Sequence, residues 1–123
     1  MLLFFINYGK GWYMSWVTDV LLLFSLGELY DDDEEELEEV TPLKNINAWL
    51  QENGWQTLDN LNQYVNTGKP MTSPVYGGAF NFLKIDEFIK IVKAQAWREP
   101  HNVQLLIKDE EDEKFTMYEI ETV

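Results

Sequence analysis

Trp16-Val17-Thr18-Asp19-Val20-Leu21-Leu22-Leu23-Phe24 is the stretch on which the fold turns. A strand with one solvated face alternates apolar and polar residues, and this run does not. Its near-continuous apolar, β-branched and aromatic character predicts a central strand covered on both faces, with Asp19 near one end. A buried helix is the competitor, and the Val and Thr content favours the strand.

Moving towards the C-terminus, the next feature is Asp31-Asp32-Asp33-Glu34-Glu35-Glu36-Leu37-Glu38-Glu39, eight acids in nine positions. Self-repulsion at every position is incompatible with a packed element, so an acidic loop is expected over residues 30–40, solvated and mobile. Thr41-Pro42 then reads as a helix start, with Thr41 as N-cap and Pro42 at the first helical position. Leu43, Ile46, Trp49 and Leu50 share a helical face, and Asn53-Gly54 is the stop, giving a helix over about 42–53.

Residues 55–65 predict a short strand at Trp55-Gln56-Thr57-Leu58 followed by loop, and residues 66–74 a loop with two Pro and a Gly. A strand over 75–83 would set Tyr76, Phe80 and Phe82 on one face. Its paired Gly77 and Gly78 imply a bulge or a close backbone approach. Asp86 reads as the cap of a second helix reaching about Gln95, with Ile85, Phe88, Ile89, Val92 and Ala96 inward. Residues 103–108 and 115–121 read as a hairpin. The order predicts an α+β domain: a mainly antiparallel sheet of four to five strands with two helices on one face, a ferredoxin-like arrangement being one way to close it.

Upstream of the decisive stretch, residues 1–13 read as an apolar extension joined through Tyr8-Gly9-Lys10-Gly11, and Met14-Ser15 as an alternative start of a single domain over 14–123. The competing reading makes Leu2–Ile6 an edge strand. The six apolar residues at 1–6 fall far short of the roughly 20 that span a bilayer, and the first basic residue, Lys10, stands behind them rather than before.

The chain has 123 residues, 9 basic against 22 acidic, a net charge of −13 and no cysteine. Thiolate chemistry and disulfides are thereby excluded. The acidic balance argues against direct nucleic-acid or anionic-membrane binding and fits a cytoplasmic protein. The five Trp, six Tyr and seven Phe argue for a packed core, with Trp16, Trp49, Trp55 and Trp97 lining it or its edge.

Chemistry is sparsely signalled. His101 is the lone histidine and follows Pro100 in a turn, with no Ser or Asp placed by a motif to complete a triad. Asp19 is the one acid whose strand position could shift its pKa. Neither acidic stretch has EF-hand spacing, so no metal or other cofactor is expected, and Gly77-Gly78 matches no phosphate-binding pattern. Catalytic residues are therefore not assigned.

The positive lead is charge. The two clusters, Asp31, Asp32, Asp33, Glu34, Glu35, Glu36, Glu38 and Glu39, and Asp109, Glu110, Glu111, Asp112 and Glu113, hold 13 of the 22 acids. They suit a non-enzymatic domain that binds a basic protein in the manner of an immunity protein or inhibitor. A charge mimic holds its acids on rigid elements, which tells against a mobile 31–39 loop. The alternative is a small-ligand or enzymatic domain with a pocket near Gly77-Gly78, formed from Tyr76, Gly77, Gly78, Asn81, Trp97 and His101. The sequence fixes neither partner nor oligomeric state.

Met14-Ser15-Trp16-Val17-Thr18, Val75-Tyr76-Gly77-Gly78-Ala79-Phe80-Asn81 and Trp97-Arg98-Glu99-Pro100 with Asn102-Val103-Gln104 together resemble a group of small acidic bacterial proteins. The resemblance covers about residues 14–121 and implies no activity, catalytic residue or cofactor.

Overall fold

The structure, a computed structural model, describes the backbone of residues 4–7 and 12–15 and all of residues 16–120. Strands β1 (Phe4–Asn7) and β2 (Trp12–Ser15) pair antiparallel as a two-stranded sheet, with Met14 opposite Phe5. The expected 8–11 link lies outside the described residues.

Strand β3 (Val17–Leu23) is the centre of a five-stranded antiparallel sheet. Its alternate residues Thr18, Val20 and Leu22 are buried, while Val17, Asp19, Leu21 and Leu23 are half-buried on the opposite face. Burial thus alternates along the strand: the helices cover one face fully, and the expected cover on the other is only partial. Helix α1 (Thr41–Glu52) leads to a two-residue strand β4 (Asp59–Asn60), and β5 (Val75–Asn81) to helix α2 (Ile85–Lys93). β6 (Gln104–Lys108) and β7 (Thr116–Glu119) form the hairpin. The order β4-β5-β3-β6-β7 puts β3 between β5 and β6. With α1 joining β3 to β4 and α2 joining β5 to β6, the first four strands have the ferredoxin-like order, and β7 extends it. Ile46 and Leu50 of α1 and Phe88 and Val92 of α2 pack on Val20, Leu22, Phe80, Leu105 and Ile107, forming one core under one face of the sheet.

The stop of α1 is chemically specific. Gly54 has φ +89, its N–H donates to Gln51 O, and Trp55 N–H donates to Leu50 O, the paired bonds of a Schellman motif. That turn aims the Trp55 indole at the Asn81 carbonyl (2.8 Å). The Asn62 side chain meanwhile bonds both the N–H and the C=O of Val75 (2.9 and 3.3 Å). Two side chains thus cover β5 where β4 is too short to pair with it, blunting an edge that would otherwise offer itself to another strand.

Several local expectations are corrected. Thr41 is the first residue of α1 and Val40 the N-cap, because Pro42 with its fixed φ is accepted anywhere in the first turn. Asp86 lies in the first turn of α2, and Lys84 is the N-cap. Asp86 therefore acts on the helix dipole rather than as a cap. α2 ends at Lys93, so Ala96 falls beyond the helical period and is exposed. Residues 55–58 form no strand: Trp55 is held by the Schellman turn, and Leu58 N–H donates to Asn47 Oδ1 instead of to a ladder. Phe82 leaves the face of Tyr76 and Phe80, turning out of the strand at φ 55 with 43% of its surface exposed. β5 contains no bulge, since all seven of its residues pair in unbroken register with β3. The last expected strand residue, Glu121, lies outside the described residues.

Candidate functional site

The acidic segment begins where β3 ends. Ser25 caps a 3-10 turn (Leu26–Leu29), its Oγ accepting from Gly27 N–H. Within that turn Glu28 points inwards and is only 2% exposed. Its two carboxylate oxygens accept from the backbone N–H groups of Arg98 (3.0 Å) and Glu99 (2.8 Å). Ser25 Oγ donates to the Glu99 carboxylate, as does Asn102 Nδ2. Sequence reading missed Glu28 altogether: its partners lie 70 residues away, and no local pattern marks it as inward.

From this anchor the 31–39 loop follows a defined path, contrary to the mobility expected of it. Asp31 N–H donates to Glu35 O, Leu37 N–H donates to Leu29 O, and Tyr30 bridges Glu36 in a short antiparallel contact. Asp31 Oδ1 accepts from the N–H groups of both Asp33 and Glu35, so this acid organises the turn itself. Glu34 takes the left-handed conformation at φ 62. Asp32, Asp33, Glu34, Glu35, Glu36, Glu38 and Glu39 are left exposed around this frame. Two cations touch it: Arg98 reaches Asp32 (2.6 Å) and Lys44 reaches Glu39 (3.1 Å).

The second cluster lies elsewhere. Thr18 Oγ1 donates to Asp109 Oδ1, placing residues 109–113 beside the start of β3, whereas the 31–39 loop departs from its end. Seven strand residues at about 3.3 Å each separate the two clusters along the sheet. Asp109 N–H also donates to Asp112 Oδ2, so two of these five acids build the hairpin turn.

Of the expected pocket residues, Tyr76 and Trp97 meet on the Phe24 ring, while Tyr76 and His101 line different cavities. Trp97 is buried, its indole N–H donating to Val92 O and its ring packed on Phe24. Gly77 sits against β3, where a Cβ would lie 2.5 Å from Val20 O. Asn81 holds Trp16 N–H through Oδ1 (2.7 Å). Tyr76 stacks on Phe24, and burial raises its phenol pKa above the ordinary value. It lines a cavity of about 330 Å³ together with Leu37, Glu36 and Glu39. His101 lines a different cavity, of about 680 Å³, at the start of β6. Asp19 is on the face away from the helices, between Ala79 and Lys108. Among the described residues no group of three or more His, Asp or Glu is set to hold a metal ion, and no helix is long and apolar enough to cross a membrane.

Hydrogen bonding from Ser25, and secondarily from Asn102, lowers the Glu99 pKa below the ordinary carboxylate value. A depressed folded pKa contributes stability that is present above the unfolded value and is lost as pH falls through the folded one. Ser25→Ala should therefore move the Glu99 pKa back up towards the ordinary range, read by carboxyl-carbon NMR titration. An unchanged titration would assign the shift to other neighbours.

No protein-family model, curated protein or solved structure matches the chain. The likeness to small acidic bacterial proteins accordingly rests on the quoted motifs alone.

Proposed function

We propose that this protein is a non-enzymatic, cytoplasmic binding domain that presents the 31–39 loop to a basic protein, in the manner of an immunity protein or inhibitor. The supporting observation is that the loop is tied down by its own backbone bonds and by Asp31, while seven carboxylates are exposed around it. A preformed acidic surface steers association and avoids the ordering cost a mobile loop would incur. The dedication of Ser25 to capping and to Glu99 is consistent with a structural serine rather than a nucleophile. Asp109 and Asp112 are engaged in a turn at the other end of the sheet, so the 109–113 cluster is assigned to solubility.

The test compares the wild-type chain with two neutralised variants. In one, Asp33, Glu34, Glu35 and Glu36 become Asn or Gln; in the other, Glu111 and Glu113 become Gln. Host lysate is passed over each, and the affinity of any protein retained by the wild type is measured for all three. A basic partner should bind the wild type, weaken as salt rises, and lose about tenfold or more on the first variant, from several exposed pairs each contributing about 0.2–1 kcal/mol. The second variant should bind like the wild type. A partner indifferent to salt and to the first variant overturns the proposal, as does the absence of any partner.

A further inference from the structure

We propose that the cavity at the start of β6 and the end of β7 is a separate binding site for a small hydroxyl-bearing amine, such as an amino sugar. It measures about 680 Å³, within the range of small-molecule sites. Its base is aliphatic, with Val103 and Ile120 both buried beneath it. Its wall is polar. Gln104 and Glu119 are register partners on adjacent strands, so their side chains project side by side into the same opening. Gln104 Nε2 donates to Met117 Sδ (3.2 Å), which orients the amide. Thr72 and Ser73 bring hydroxyls from the loop before β5.

The lining also selects by what it offers. Its described residues include no Lys or Arg to hold an anion, and the one ring among them is the His101 imidazole. They do include the Glu119 carboxylate, amides and hydroxyls, which match an ammonium and several hydroxyl groups. A net charge of −13 raises the local concentration of cations and repels anions. A positively charged ligand rich in hydrogen-bonding groups satisfies each of these conditions, whereas a phosphate or carboxylate would meet the Glu119 charge and the field of the whole chain.

The experiment titrates three sugars of one shape and different charge, glucosamine, glucose and glucuronate, into the ¹⁵N-labelled full chain and follows the backbone amides. Glucosamine should move Ser73, Gln104 and Glu119 saturably. Glucose should bind about tenfold more weakly, the worth of one charge-assisted hydrogen bond, and glucuronate more weakly still. Glu119→Gln, at an exposed position, should keep the rest of the spectrum and bring glucosamine down to the affinity of glucose. Glucose or glucuronate binding as well as glucosamine overturns the inference. So do shifts that map away from the cavity, no shifts with any of the three, or a Glu119→Gln chain that retains the preference.

Discussion

Gly77→Ala is expected to destabilise the protein by about 3 kcal/mol, whereas Gly78→Ala, one residue along the same strand, is expected to be neutral or to stabilise it by about 0.5 kcal/mol. Alanine ordinarily improves an interior strand position because it restricts the unfolded chain more than glycine does. At Gly77 the native state reverses that sign. A Cβ there would lie 2.5 Å from the Val20 carbonyl oxygen and 2.9 Å from Leu21 Cδ2, with Leu61, in the 3-10 turn Leu61–Tyr64 that follows β4, at 3.3 Å. Leu21 and Leu61 can rotate, but the Val20 carbonyl belongs to the central strand and moves only if the β3–β5 ladder separates. At Gly78 the nearest atom is on the Phe80 ring at 3.4 Å, an ordinary contact. Thermal unfolding of the two variants reads the contrast directly, about 10 °C lower for Gly77→Ala and little or no loss for Gly78→Ala. Equal melting temperatures for the two would mean that β5 lies farther from β3 than this register places it.

The same strand pair illustrates what the sequence made legible. Residues 16–24 betray a central strand through their unbroken apolar, β-branched run, although only one face of that strand is fully buried. The glycine pair signals a bulge or a close approach, and the close approach is found, at Gly77. Asn53-Gly54 is legible for a related reason: a left-handed helix stop favours a residue without a Cβ, and Gly54 takes that place in the Schellman turn. The failures share a different cause. Residues 55–58 and Phe82 have strand-like composition, yet their backbone groups are satisfied by Asn47 and Trp16 rather than by a neighbouring strand's ladder. Nothing local announces such partners. The acidic loop was misjudged in the same way. Counting its charges indicates repulsion, but the order comes from one acid, Asp31, turning its carboxylate onto its own backbone. As for the site, the two acidic clusters were visible in the sequence and their separation to opposite ends of β3 was not, because that depends on the register of β6 with β3.

Glu28→Ala is expected to cost about 3–4 kcal/mol, more than any exposed acid in the chain could. The residue is one of the few buried polar side chains, and each of its carboxylate oxygens takes one backbone N–H, from Arg98 and from Glu99. Removing it leaves two part-buried donors without their acceptors, at up to about 1–3 kcal/mol each, and opens a space where the buried carboxylate had been. Glu28→Gln keeps one acceptor but turns an amide N–H₂ towards a backbone N–H, so it should lose about 2 kcal/mol, intermediate between the two. Glu38→Ala, on the exposed part of the loop, is the control and should stay within about 0.5 kcal/mol of wild type. The larger consequence is local. Glu28 joins the turn that launches the acidic loop to the segment that presents Arg98 to Asp32, so its loss should release residues 31–39 before the sheet unfolds. Hydrogen exchange is the measurement that separates this from general destabilisation. In Glu28→Ala the amides of Arg98, Glu99, Glu35 and Leu37 should exchange markedly faster at a denaturant concentration where those of β3 and β6 are still protected. Faster exchange spread evenly over the sheet and the loop would show that the carboxylate supports the core as a whole. In that case the defined path of the acidic loop would have to come from Asp31 and the Leu29–Leu37 bond alone.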